Sequence, residues 1–264
     1  MTLRQAQDGG VPTIRLVPLS TGGSGIPFLL GPSLGTRVAR VWDPVLPLLG
    51  DHPLYGWDLP GHGVSPATTS GFSIEELADG ILAAADDAGL ARFAAAGVSL
   101  GGVGSLAVAL RAPSRVARVT MVCSLPKIGT AEAWAQRASD VRASGTPSLV
   151  QGSASRWFAP GFIAASPTVS SPLLTDLMDV DDESYALCVE ALAATDLRPA
   201  VSTLAMPFTI IAGAEDEAII PLPAAEDAVA SARSGTLHVI PNAAHLATVE
   251  KPAEVAAILL SEAS

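Results

Sequence analysis

The sequence predicts an α/β fold: a mostly parallel central sheet with helices on both faces and a helical insertion. Three observations predict it. Short apolar runs at 27–30, 92–97, 117–123, 208–212 and 236–240 are separated by stretches of helical character. The runs 92–97 and 117–123, on either side of a helical stretch, are largely apolar rather than alternating, as strands covered on both faces are. Between residues 127 and 199 no strand-like run occurs, only short helical pieces broken by proline and glycine.

Each element follows from local chemistry. Residues 13–19 and 27–30 read as strands, and the turn Gly22-Gly23-Ser24-Gly25 between them predicts a β-hairpin. Residues 37–49 read as a helix carrying Val41, Trp42, Val45 and Leu48, and 52–57 as a short aromatic strand. The turn-rich loop Asp58-Leu59-Pro60-Gly61-His62-Gly63 follows. Ser73-Ile74-Glu75-Glu76 has the form of a capping box, so a helix is expected to about residue 88, with Gly89 as its left-handed stop. Then come strand 92–97, helix 100–111 and strand 117–123. The helical stretch after them, about 80 residues, is far longer than an ordinary connection. Strands 208–212 and 236–240 and a last helix, 252–261, complete the pattern. We therefore expect a core domain of residues 1–124 and 205–264, with a cap or lid of 125–204 inserted in it.

Composition narrows the class. The chain has 264 residues, 49 % of them hydrophobic and 16 % charged, enough to bury a large core. Its formal charge is -11, from 26 acidic and 15 basic residues, so no nucleic-acid partner is expected. Cys123 and Cys188 sit among apolar neighbours and read as buried, reduced thiols. No signal peptide is expected, and no apolar stretch approaches the roughly 18 residues of a membrane span. A cytoplasmic location without membrane association is the expectation. The histidines are scattered, with no metal-type spacing, so no metal is expected. Oligomeric state is not readable.

The sharpest chemical signal is Gly97-Val98-Ser99-Leu100-Gly101, followed by Gly102. A strand precedes it and a helix follows. A serine on so tight a strand-to-helix turn needs small neighbours two residues away, and its hydroxyl projects above a helix N-terminus. Such a hydroxyl needs a base. His245, in Pro241-Asn242-Ala243-Ala244-His245, follows the strand 236–240. Asp216, in Gly213-Ala214-Glu215-Asp216, follows the strand 208–212, and Glu215 is the rival carboxylate. Ser99, Asp216 and His245 all fall just past carboxyl ends of strands, which share one edge of a parallel sheet. That order of nucleophile, acid and base fits a catalytic triad. His62 reads as a hydrogen-bonding turn residue, and His52 and His238 as strand residues. Two oxyanion donors are also needed. The N–H of Leu100 is one. The loop Gly31-Pro32-Ser33-Leu34-Gly35-Thr36 should supply the other from Leu34, with Ser33 second, because Pro32 has no N–H.

With these motifs in place the sequence resembles the α/β-hydrolase superfamily over nearly its whole length. More narrowly it is similar to the 3-oxoadipate enol-lactonases of aromatic catabolism. Pro32 to Thr36 with Trp42-Asp43-Pro44, Gly61-His62-Gly63 with Ser65-Pro66, and the Ser99 motif carry the likeness. So do Ile128-Gly129, Trp134 to Arg137, Arg156-Trp157-Phe158, Asp196-Leu197-Arg198, and Ala244-His245-Leu246 with Glu250. Pro32 departs from the asparagine expected there. The resemblance implies an α/β-hydrolase fold and opening of a five-membered enol-lactone that bears a carboxymethyl arm, without cofactor. A fused decarboxylase activity is not expected. The partner expected is a small anionic lactone. Its carboxylate needs a cation in an apolar pocket, for which Arg137 and Arg156 are candidates, with Trp134 as a flat wall and Ser33 as a further substrate contact. A general carboxylesterase or another lactonase, and a binding protein without catalysis, are the competing readings.

Overall fold

The computed structural model describes residues 10–20 and 22–261. Seven strands form one sheet: β1 (Leu16–Ser20), β2 (Phe28–Gly31), β3 (Leu54–Trp57), β4 (Phe93–Val98), β5 (Val116–Val122), β6 (Phe208–Gly213) and β7 (Gly235–Ile240). Their order is β1-β3-β2-β4-β5-β6-β7, and every pairing is parallel except β1 with β3. The central strands β2, β4 and β6 are buried along their whole length, as runs without alternation require.

The expected β1–β2 hairpin does not form. β3 lies between the two strands, with Leu16 opposite Trp57 on one side and Phe28 beside Leu54 on the other. The glycine turn explains this. The N–H groups of Ser24 and Gly25 both donate to the carbonyl of Asp51 instead of bridging the two strands. A Cβ on Gly23 would lie 2.4 Å from that same carbonyl oxygen. The glycines therefore admit a neighbouring chain segment rather than a hairpin turn.

The helix expected over 37–49 is also cut short. It splits into α1 (Val38–Trp42) and one 3-10 turn, Leu46–Leu48. Pro44 and Pro47 lack the N–H groups that would continue it. Elsewhere local signals hold. α2 (Ile74–Asp87) begins with the full Ser73/Glu76 capping box, and Gly89 has φ +71°. α3 (Leu100–Arg111) follows β4 directly, and its buried face packs on the sheet.

Between β5 and β6 the chain is helical: α4 (Ala131–Ser144), α5 (Val150–Trp157), α6 (Phe162–Ala165), α7 (Pro167–Met178) and α8 (Asp182–Ala194). Thr130 caps α4 and Asp181 caps α8 by accepting backbone N–H bonds. α4 and α8 pack on each other. The insertion is fastened to the core by polar contacts. Arg37 and Arg40 both pair with Asp176 of α7, and the Asp181 N–H donates to the Gly61 carbonyl. After β6 come α9 (Leu222–Ser231), then β7, α10 (Ala247–Glu250) and α11 (Pro252–Ser261). Among the described residues no helix is long and apolar enough to cross a membrane.

Candidate active site

The β4–α3 turn holds Ser99 at φ +54°, ψ -121°, a region that residues other than glycine rarely enter. Such a conformation costs about 1–3 kcal/mol and persists only when its surroundings impose it. They do so here. A Cβ on Gly97 would sit 2.1 Å from the Gly101 backbone, and one on Gly101 2.4 Å from the Pro32 carbonyl oxygen. The turn closes only because both are glycine. The Gly101 N–H donates to the Pro32 carbonyl (2.9 Å), and the Ser124 hydroxyl donates to the Ser99 carbonyl (2.6 Å).

Asp216 and His245 meet beyond the ends of β6 and β7. The distance from His245 Nδ1 to Asp216 Oδ2 is 2.7 Å, with the two residues only 3 % and 2 % exposed. This contact fixes which imidazole nitrogen faces the acid and leaves Nε2 for other work. Of the two rival carboxylates, Asp216 makes the contact. Glu215 contributes its N–H, which donates to the Ala243 carbonyl and anchors the histidine loop. Cys123, buried and itself at φ +45°, directs its thiol at the Ala244 carbonyl (3.4 Å). Burial and the nearby Asp216 push that thiol up, so it stays protonated.

Ser33, Leu34, Ser99, Leu100 and His245 line one cavity of about 460 Å³, roofed by residues of the insertion. Among the described residues, neither the Leu34 nor the Leu100 N–H takes part in a backbone hydrogen bond. The loop that carries Leu34 is held by His62. The Gly35 N–H donates to His62 Nε2 (3.1 Å), and His62 Nδ1 donates to the Pro60 carbonyl (2.8 Å). Burial lowers the His62 pKa to about 4, so the ring is neutral and its Nε2 can accept.

The roof brings Trp134, Arg137, Arg156 and Tyr185 to the same cavity. Arg137 Nε donates to the Tyr185 hydroxyl (2.8 Å), and its guanidinium lies over the Tyr185 ring. Both arginines line the cavity; burial lowers the pKa of Arg156, and the charge of Arg137 lowers it further. Neither forms an ion pair with a carboxylate among the described residues. Trp134 donates to the Ile128 carbonyl (2.6 Å), which fixes its ring at the cavity wall. No cluster of metal-ligating side chains occurs among the described residues.

A parallel sheet, a strained serine at a glycine-flanked elbow and an Asp–His pair at the same sheet edge define a fold family. Residues 25–258 match the alpha/beta hydrolase family. The chain belongs to that family. It is 34 % identical over 224 residues to 3-oxoadipate enol-lactonase 2 of Acinetobacter baylyi, covering 83 % of this chain and 82 % of that one. It is 31 % identical over 230 residues to a pimeloyl-[acyl-carrier protein] methyl ester esterase of Edwardsiella ictaluri, covering 84 % and 87 %. The crystal structure of an enol-lactonase from Burkholderia xenovorans superposes with a TM-score of 0.87 at 27 % identity, covering 94 % of this chain and 95 % of that one.

In this alpha/beta hydrolase the residues expected as triad, oxyanion donors and substrate contacts lie in or beside one cavity: Asp216 lies behind His245, and Ser33, Leu34, Ser99, Leu100, Trp134, Arg137, Arg156 and His245 line the space itself. Sequence reasoning missed one group and described two others only in part. Tyr185 stands on α8, a helix buried on most sides, where no periodicity marks a functional face. Cys123 read only as a buried thiol. Glu250 stood out through resemblance alone; its carboxylate accepts two backbone N–H groups, those of Ala159 and Ala244.

Proposed function

We propose that this chain is a serine hydrolase that opens 3-oxoadipate enol-lactone to 3-oxoadipate, as a cytoplasmic step of the β-ketoadipate pathway of aromatic catabolism. The observation that carries the reading is the roof. Two guanidiniums without carboxylate partners among the described residues face the cavity that holds Ser99 and His245. Burying like charges together is costly unless an anion joins them. A lactone with a carboxylate arm meets that need, and Trp134 and Trp157 offer apolar walls for its ring. Similarity to enol-lactonases supports the same substrate.

In this mechanism His245 Nε2 takes the Ser99 proton as Oγ attacks the lactone carbonyl. Asp216 holds Nδ1–H and stabilises the imidazolium. The N–H groups of Leu34 and Leu100 receive the oxyanion. Collapse of the tetrahedral intermediate breaks the ring C–O bond, and the imidazolium protonates the leaving enol oxygen. The enol tautomerises to a ketone, so the leaving group is good. Water then gives its proton to His245 and attacks the acyl-enzyme. Its oxygen becomes the new carboxylate, and the proton returns to Ser99. Every step is acid–base and nucleophilic chemistry of these side chains, so the reaction as drawn calls on no cofactor.

Ultraviolet loss of the enol-lactone tests this directly, with Ser99→Ala run beside the unmodified protein. Turnover well above the spontaneous rate, abolished in the variant, is expected. A folded protein that adds nothing to the spontaneous rate refutes it. A second reading, a general carboxylesterase, draws on the apolar cavity wall and on similarity to a methyl ester esterase. Faster hydrolysis of p-nitrophenyl esters than of the enol-lactone would favour it. A binding protein without catalysis would leave Ser99 unlabelled by an organophosphonate.

A further inference from the structure

We propose that Glu250 is a positioning residue that locks the helical insertion and the catalytic histidine into one frame. The proposal rests on the hydrolase reading above, with His245 as base and Arg156 as an anion-binding group.

The bonds run in both directions from a single half-buried carboxylate. Glu250 Oε2 accepts the N–H of Ala244, the residue before His245, at 2.6 Å. Glu250 Oε1 accepts the N–H of Ala159, in the insertion just beyond α5, at 2.7 Å. A parallel tie joins the same two segments: the Leu246 N–H donates to the Trp157 carbonyl at 3.0 Å. His245 is therefore flanked on both sides by residues bonded, directly or through Glu250, to the segment 157–159. That segment continues from Arg156 and Trp157, which line the cavity.

An ionised carboxylate that accepts two N–H bonds makes a stronger and more directional link than neutral partners would. Burial raises the pKa of Glu250, while the two N–H bonds and Lys251 oppose the rise. Among the described residues no arginine or lysine makes an ion pair with it, so its polar work goes to these two backbone groups. The consequence is mechanical. A shift of segment 157–159 moves Glu250, Ala244 and the His245 ring together. The base is then best aligned when the insertion, with its guanidinium, is seated.

The test uses Glu250→Gln, Arg156→Ala and their combination. A glutamine keeps the size but offers one acceptor oxygen, and its NH₂ faces an N–H. The first readout is the rate of Ser99 labelling by a small neutral fluorophosphonate, which depends on base alignment and not on any natural substrate. Glu250→Gln is expected to label about tenfold slower, since small misplacements of catalytic groups have effects of this order. Its melting temperature should remain far above the assay temperature. The second readout is steady-state kinetics on the enol-lactone and on p-nitrophenyl acetate. In Glu250→Gln, kcat should fall on both, and KM should rise on the lactone alone. Its effect on the lactone should combine with that of Arg156→Ala to less than the product of the two. Wild-type labelling and kcat with only a lowered melting temperature overturn the proposal, and fully multiplicative effects overturn the coupling. A wild type that takes no label overturns the hydrolase reading and this inference with it. Should Glu250→Gln fail to fold, Ala159→Pro decides. It removes only the donor on the insertion side, and Phe158 before it is already extended at φ -125°, ψ 141°, as a residue preceding proline must be. Slower labelling is expected; wild-type labelling by folded Ala159→Pro overturns the proposal.

Discussion

The floor and the roof of the cavity are built on opposite principles. On the floor, at the carboxyl edge of the sheet, Asp216 and His245 satisfy each other and the elbow is pinned by Ser124 and Pro32. Little is left to adjust, which suits groups that must stand ready for a transition state. On the roof, Arg137 is oriented by Tyr185, Arg156 is half-buried, and neither meets a carboxylate among the described residues. The Asp216–His245 pair on the floor is formed without a ligand, and on the function proposed above an anion completes the roof's electrostatics. Losses on the floor should therefore remove turnover, and losses on the roof should remove selectivity.

The sharpest way to break this contrast is Ser99→Ala. Turnover of any ester or lactone should fall by about 10⁴-fold or more, with circular dichroism unchanged. Hydrolysis that survives would mean that another nucleophile works in the cavity. Asp216→Asn should follow, lowering kcat by about 10³- to 10⁴-fold through loss of imidazole orientation; a loss below tenfold would assign the acid elsewhere. On the roof, Arg137→Ala should raise KM for the anionic lactone by about ten- to a hundredfold, the worth of a hydrogen bond to a charged group. KM for a neutral ester should hold. Equal changes on both substrates would take Arg137 out of the anion site.

The smallest effect concerns pH. His62 is neutral in the fold, with its pKa lowered to about 4, whereas the unfolded chain binds that proton near pH 6.5. Between those values the unfolded state holds more protons, so stability is fully present above about pH 6.5 and falls as the pH drops toward 4. The loss attributable to this ring is at most about 3 kcal/mol. Melting temperatures from pH 7 to 4.5 should decline less steeply in His62→Gln than in the wild type. Parallel slopes would show that the ring does not titrate in the fold as its burial requires.

Residue-by-residue signals specify the floor more directly than the roof. The elbow, the Ser73 capping box and the α3 boundaries depend on neighbours within a few residues, so local sterics specify them. Asp216 and Glu215 follow the same strand, so strand placement does not choose between them; Asp216 is the one that contacts His245. The β1–β2 hairpin failed because a glycine turn says only that the backbone is free to bend, while β3, some thirty positions later, supplies the actual partner. The apolar spacing over 37–49 suits a helix, but Pro44 and Pro47 lack the N–H groups to continue one, and the segment splits. Tyr185 gave no signal, since its value lies in facing Arg137 across the α4–α8 contact.

The sequence by itself determined which backbone could bend tightly at Ser99, where the strands of the central sheet run, and which side chains carry acid, base and cation. Those are properties of single residues and their immediate neighbours. Only the tertiary structure decided that Asp216 touches His245, that two arginines of the insertion share one cavity, and that Glu250 spans insertion and core. Such contacts join segments far apart in the chain, and their geometry follows from how helices and strands pack, which no local pattern encodes.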